Sequence, residues 1–325
     1  MGAMEHVPAG PNTLIQAVQY FADPDRALAF IVALRWPDGV ACPYCQAKEP
    51  SFLSTRRIWK CKAPKCRKQF SIKVGTIFED SPLGLEKWLP ALWMIANDKN
   101  GISSYELHRA LGVTQKTAWF MLHRIRAAMQ TPTFGNFGGD VEADETFIGG
   151  RSRFIHKDKR ARVIKAPGVW GKAAVMGLLE RHGPDKKHST VRVAVTKSLR
   201  KPALQKNIRE NVEAGANIYT DDHRSYQGLE KDYIHGVIDH GEAYVRGKIH
   251  TNGLENFWSL LKRAIKGTYV SVEPFHLFRY LDEEVFRFNN RGDNDGGRFI
   301  NVLRSVRGKR LTYRALIGSE LPQTC

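Results

Sequence analysis

The sequence predicts an α/β chain: a mixed β-sheet with flanking helices, preceded by a small cysteine-stapled domain and a short helical one. Three observations carry this expectation. Four of the five cysteines fall in two close pairs between residues 42 and 66. Residues 81–129 repeat apolar side chains at helical spacing. From residue 140 onward, three strand-like segments, a helical one, another strand-like one and further helical ones follow in order, the pattern of a mixed sheet between helices.

Bulk composition narrows the class. The chain has 325 residues, enough for two or three domains, with 42 % hydrophobic and 26 % charged residues, which is ordinary for a soluble globular protein. Fifty Lys and Arg against 33 Asp and Glu give a net charge of +17, a surplus that favours a polyanionic partner, with DNA or RNA the commonest. No stretch approaches the roughly 18 apolar residues of a spanning helix. The opening, MGAMEHVPAGPNTLIQ, lacks the basic and apolar regions of a secretory signal. A cytoplasmic, nucleoid-associated protein with no membrane partner is expected.

Residues 1–38 read as an N-terminal helical segment without a motif. Residues 39–78 read as a zinc ribbon. Cys42-Pro-Tyr-Cys45 is followed after fifteen residues by Cys61-Lys-Ala-Pro-Lys-Cys66. Two short cysteine loops joined by a hairpin-length spacer make a four-thiolate site, closed and therefore structural, for Zn²⁺. The spacer SFLSTRRIWK has strand alternation. Arg56, Arg57, Lys60, Lys62, Lys65, Arg67, Lys68 and Lys73 surround the site, as a phosphate-contacting surface or a solvated basic face.

Residues 79–131 read as a helix-turn-helix-like domain. Ser81-Pro82 is expected to open a helix carrying Leu85, Trp88, Leu89, Leu92, Trp93 and Ala96, which Asn100-Gly101 stops. Ser103-x-x-Glu106 is a capping box, Gly112 makes a turn, and Thr114 caps a last helix. In a helix-turn-helix the residues opening the second helix reach base edges, here Gln115, Lys116 and Thr117. The alternative is an ordinary helical hairpin.

The breaker-rich loop 131–139 marks a boundary, and residues 138–292 read as the catalytic domain. In VEADETFIGG, strand alternation sets Asp140, Glu142 and Asp144 on one face and Glu145 on the other. Residues 151–172 hold eight Lys and Arg, with Lys159, Arg160 and Arg162 expected on a DNA backbone; a charged loop is the alternative. Residues 172–180 and 190–196 read as strands, 201–213 as a helix, and 216–220 as a strand delivering Asp221. Thr251 or Asn252 caps a helix whose Leu254, Phe257, Trp258, Leu261 and Ile265 form one buried stripe. Glu255, Ser259, Lys262 and Lys266 share a neighbouring face, so Glu255 reaches the pocket while Lys262 grips a phosphate; Glu255 also suits a cap begun by Asn252. Residues 293–325 read as a C-terminal tail.

Asp144, Asp221 and Glu255, brought into one pocket, repel one another unless a hard cation lies between them, and Mg²⁺ or Mn²⁺ prefers such oxygen ligands. Two such ions can activate a water or hydroxyl and stabilise the leaving oxygen at a phosphodiester.

The strand order resembles the ribonuclease H-like arrangement, whose first and fourth strands carry carboxylates. DETFIGG, TDDHRSYQGL and HTNGLENFWSLLKR-x-IKGTY resemble the catalytic core of DDE transposases of bacterial insertion sequences, in the branch with an N-terminal zinc ribbon akin to Merlin transposons. The resemblance runs from about Cys42 to the FRFNNR segment. It implies Asp144 and Asp221 as metal ligands, Glu255 as the third acid and Lys262 as a positively charged helper. Glu255 follows Asp221 by 34 residues, a spacing typical of these enzymes. Asp222 and Asn256 adjoin two of these positions; the threonine before Asp221, and the face Glu255 shares with Lys262, favour the set named. It further implies two Mg²⁺ or Mn²⁺ ions, terminal inverted repeats and target DNA as partners, and a homodimer or larger synaptic assembly. A nuclease or resolvase that cuts without joining, and a non-enzymatic DNA-binding regulator, are the alternatives.

Overall fold

Thr13 and Asp23 each accept hydrogen bonds from backbone amides just ahead of them, and these caps start α1 (Leu14–Phe21) and α2 (Pro24–Arg35). The computed structural model describes residues 10–130, 135–149, 172–183, 187–238 and 249–318. The chain divides into two units, one of residues 1–129 with 293–325 and one of residues 130–292.

In the first unit the ribbon follows α2. SFLSTRRIWK is a hairpin rather than one strand. β1 (Ser51–Leu53) and β2 (Ile58–Lys60) pair antiparallel around a turn that puts Arg57 at φ 49°, and β3 (Gln69–Phe70) adds to β2. Three helices follow: α3 (Leu85–Asn97), α4 (Ser104–Leu111) and α5 (Gln115–Met129). The expected start at Ser81-Pro82 is corrected: α3 begins after Gly84, and Ser81 instead accepts the Trp88 indole N–H at 3.0 Å. The Ser103–Glu106 capping box is present in full, and α4 ends with Gly112 at φ 60°.

The second unit is built on a five-stranded sheet of order β6-β5-β4-β7-β8. β4 (Asp140–Ile148), β5 (Ala173–Glu180) and β6 (Thr190–Thr196) form an antiparallel meander. β7 (Asn217–Asp221) pairs parallel with β4 on one side and with β8 (Ile234–Ile238) on the other. The fifth strand, β8, was not expected from the sequence.

Strand alternation sends Val141, Ala143, Met176 and Leu178 to one face of the sheet, where they pack with Leu204 and Ile208 of α6 (Lys201–Asn211). Val175 and Leu179 point to the other face. There they meet the expected stripe of α7 (Asn252–Ala264), with Leu254, Phe257, Trp258 and Leu261 all buried, and α8 (Leu277–Asn289) beyond it. The architecture is therefore a mixed sheet with helices on both faces.

The segment from residue 293, expected as a tail, carries α9 (Asp295–Arg304) and α10 (Tyr313–Leu316) and belongs to the first unit. Phe299 of α9 is fully buried against Phe21, Phe30 and Trp93, with ring centroids 5.1–6.4 Å apart. No helix among the described residues is long and apolar enough to cross a membrane.

Candidate active site

Register brings the first two acids together. β4 and β7 run side by side with Asp140 opposite Asn217 and Glu142 opposite Tyr219. The same offset carried two residues further sets Asp144 level with Asp221, the last residue of β7. On the other side, Asp144 stands opposite Gly177 of β5. A Cβ at Gly177 would come within 2.6 Å of the Trp258 ring, so the missing side chain makes room for that indole. Trp258 Nε1 then donates to Asp144 Oδ2 at 2.8 Å, while the Glu145 amide donates to Oδ1 at 2.8 Å. Nothing in the local pattern around Trp258 signals that this stripe residue also touches an acid.

Glu255 lies in the first turn of α7, exposed, one helical turn before Trp258. Its amide closes the first helical bond to Thr251, and the Thr251 hydroxyl donates to its Oε1 at 3.3 Å. Thr251 is the cap residue, which puts Glu255 one position beyond a capping-box glutamate. Lys262 follows on the same face two turns along, about 10 Å up the axis.

The acids are felt electrostatically. Burial pushes the Asp144 carboxyl up to about 6; the Trp258 and Glu145 hydrogen bonds oppose this, and the charges of Asp221 and Glu255 reinforce it. Glu145, on the opposite face of β4, is pushed up to about 7 by burial and by the charges of Asp221 and Asp144, against the hydrogen bond it accepts from Tyr226 Oη (2.6 Å). Tyr226 in turn is held well above the usual phenol range by burial and by Glu145. Asp144 is thus the acid raised by both other members of the expected set. Carboxylates present oxygen donors only, which would suit a hard divalent cation. Among the described residues, only the four cysteines form a group of three or more possible ligands lying within 4.8 Å of one another.

The cysteines converge through matching knuckles. Gln46 and Arg67, each following the second cysteine of its pair, take left-handed backbone conformations with φ 62° and 48°. The Cys42 and Cys61 amides donate to Ala47 O and Lys68 O, both at 2.9 Å. The sulfurs of Cys42 and Cys66 are 3.8 Å apart and those of Cys45 and Cys61 3.5 Å, with all four thiols free of disulfides. Four thiolates at this spacing fit tetrahedral Zn²⁺. Of the surrounding basic residues, Arg57 is held by Asp25 (2.6 Å) and Lys73 donates to the carbonyls of Ser81 (3.1 Å) and Leu83, so these two serve the protein itself.

At the start of α5, Gln115 donates to the Ser104 hydroxyl (2.8 Å) and the Thr117 amide donates to Thr114 Oγ1 (3.2 Å). Lys116 is exposed, with its ammonium 4.8 Å from the Tyr313 ring centre. Lys159, Arg160 and Arg162 lie outside the described residues.

Comparison with known proteins agrees with both halves. The ISXO2-like transposase domain family matches residues 136–289, and the transposase zinc-ribbon domain family matches residues 23–69. A protein of the transposable element ISH50 of Halobacterium salinarum is 28 % identical, over 83 % of this chain and 94 % of its own length. A transposase-like protein of Haemophilus influenzae is 32 % identical over 31 % of this chain and 81 % of its own length. A chain of a simian T-cell lymphotropic virus intasome, 11 % identical and covering 60 % of this chain and 67 % of that one, overlaps at a TM-score of 0.28, too little to bear on the fold. With its zinc-ribbon domain ahead of the sheet that carries Asp144 and Asp221, the chain belongs to the ISXO2-like transposase family.

Proposed function

We propose that this chain is a DDE-type transposase. It binds the terminal inverted repeats of an insertion sequence, cleaves at the element ends by metal-dependent hydrolysis, and joins the freed 3′-hydroxyl to target DNA. The observation that carries this reading is geometric: the β4–β7 register sets Asp144 level with Asp221, and Trp258, one turn after Glu255 on α7, is hydrogen-bonded to Asp144. The parallel β4–β7 pair inside a mixed sheet supports a ribonuclease H-like core.

Asp144, Asp221 and Glu255 would hold two Mg²⁺ or Mn²⁺ ions. When bound, such ions lower the pKa of a water or hydroxyl and stabilise charge on the leaving oxygen. The chain's own groups set the stage. Trp258 orients Asp144 through Oδ2 and leaves the carboxylate ionisable. Lys262, two turns beyond Glu255, offers its ammonium to a substrate phosphate. No Ser or Tyr nucleophile is needed, because the attacking groups are water and then the DNA 3′-hydroxyl. The zinc ribbon and the α4–α5 pair, read as helix-turn-helix-like, bind the ends, with Gln115, Lys116 and Thr117 at the start of α5 and Lys159, Arg160 and Arg162 on the backbone. Because both ends must be processed together, a dimer or larger synaptic assembly acts.

The test is a cleavage and strand-transfer assay with inverted-repeat DNA. Asp144→Asn is expected to abolish both reactions while end binding, measured by mobility shift, stays within about twofold. If wild type cuts at the ends but never joins them, even when supplied with pre-cleaved ends, the chain is a nuclease. If Asp144→Asn cuts as well as wild type, the carboxylate centre is wrong.

A further inference from the structure

Glu142 precedes Asp144 by two residues on β4, so both side chains rise from the same face about 7 Å apart. Its side chain is 1 % exposed, an unusual place for a carboxylate unless partners hold it. Two partners do. Oε2 accepts the backbone N–H of Leu254 at 2.9 Å, one of the amides that the first turn of α7 leaves without an intrahelical acceptor. Oε1 accepts Arg181 Nε at 2.8 Å, and Arg181 Nη2 donates onward to His250 O at 2.6 Å, just ahead of the cap residue Thr251.

An independent observation points to the same contact. Gly253 lies in that first turn, and a Cβ there would stand 2.8 Å from Glu142 Oε2 and 3.1 Å from Leu179 Cδ1. The helix is pressed so close to the carboxylate that a β-carbon there would have to push the Glu142 side chain aside. Thr251 makes no side-chain cap bond of its own, so the cap is supplied from the sheet. A second tie, Trp258 to Asp144, lies one turn further up. Glu255 sits between these two ties.

We propose that Glu142 is a positioning residue for the carboxylate centre. It caps α7 from the strand that carries Asp144, which fixes the height of Glu255 relative to Asp144 and so sets how tightly the centre takes a divalent cation. Arg181 completes the device by tying Glu142 to the chain entering the helix. The inference rests on the three-carboxylate reading above.

The experiment titrates Mn²⁺ into zinc-loaded, full-length protein by electron paramagnetic resonance. Near-ultraviolet circular dichroism checks the fold, and end-DNA binding is measured without added divalent ion. The variants are Glu142→Gln, Glu142→Ala, Gly253→Ala and Asp144→Asn. Glu142→Ala and Gly253→Ala are expected to weaken Mn²⁺ binding about tenfold, the low end for a residue acting behind metal ligands, with end binding unchanged. Glu142→Gln, which keeps one acceptor oxygen, falls between these and wild type. A merely structural role would lower the melting temperature and leave the Mn²⁺ affinity of the folded protein alone. The proposal is overturned if folded Glu142→Ala binds Mn²⁺ like wild type. Should that variant not fold, wild-type Mn²⁺ affinity in both Glu142→Gln and Gly253→Ala overturns it instead. If Asp144→Asn also binds like wild type, the centre itself is misassigned and both proposals fall. Loss with Asp144→Asn alone sinks only the role of Glu142.

Discussion

Glu145 carries the clearest pH signature among the acids. Its carboxyl is raised from 4.5 to about 7, with burial the largest cause. In the unfolded chain it ionises near its ordinary value, so the charged form opposes folding above about 7, and the opposition is gone below 4.5. Glu145→Gln keeps an acceptor for the Tyr226 hydroxyl and removes the charge. In zinc-loaded protein without other divalent ions it should raise the melting temperature at pH 8, by at most about 3 kcal/mol of stability, with the gain shrinking as pH falls through 7. An equal gain at pH 8 and pH 5 would contradict this origin. Asp144 and Asp221 were legible in the sequence as strand residues and Glu255 as a helix-start residue, although Asp144 stands in the middle of β4 and not at its end. Glu142 and Trp258 were not legible as parts of the site. The first looked like one more acid on a strand and the second like one more core aromatic. Their partners, Leu254 and Asp144, lie 112 and 114 positions away, a separation no local pattern spans.

Among the elements, α7 was the most legible, because a buried stripe against an exposed charged face has only one helical solution. β8 was missed for the opposite reason. It is a five-residue edge strand with Gly236 at its centre, and Ile234 and Val237 remain 66 % and 41 % exposed, so no buried alternation marks it. The start of α3 was misplaced because Ser81-Pro82 suits a helix cap, whereas the Ser81 side chain is taken by the Trp88 indole. The ribbon's strands are two or three residues long, too short to persist on pairing alone, although Trp59 and Phe70 stack at 5.9 Å beneath them. Their order therefore depends on the thiolate site. Stripping zinc with a chelator should remove amide-exchange protection from β1–β3 while β5 and β6 stay protected. Unchanged protection in the ribbon would show that its core suffices.

For the whole molecule, the sequence conveyed charge and the order of domains but not how the chain returns. Residues 293–318 looked like a tail because α9 is short and its partners, α1 to α3, are far away in sequence. Phe299→Ala should destabilise the first unit by about 3–5 kcal/mol, as for other fully buried aromatics, and calorimetry would detect it as a lowered transition. A melting profile unaltered by the substitution would mean that α9 is dispensable there. The returning segment also bears on how the protein is made. Phe299 leaves the ribosome roughly 170 residues after α5, which at about 5–20 residues per second is roughly ten to thirty seconds later. Through that interval the nascent chain holds Phe21, Phe30 and Trp93 without their closing neighbour, and a message broken before codon 299 yields a product whose leading half is never finished.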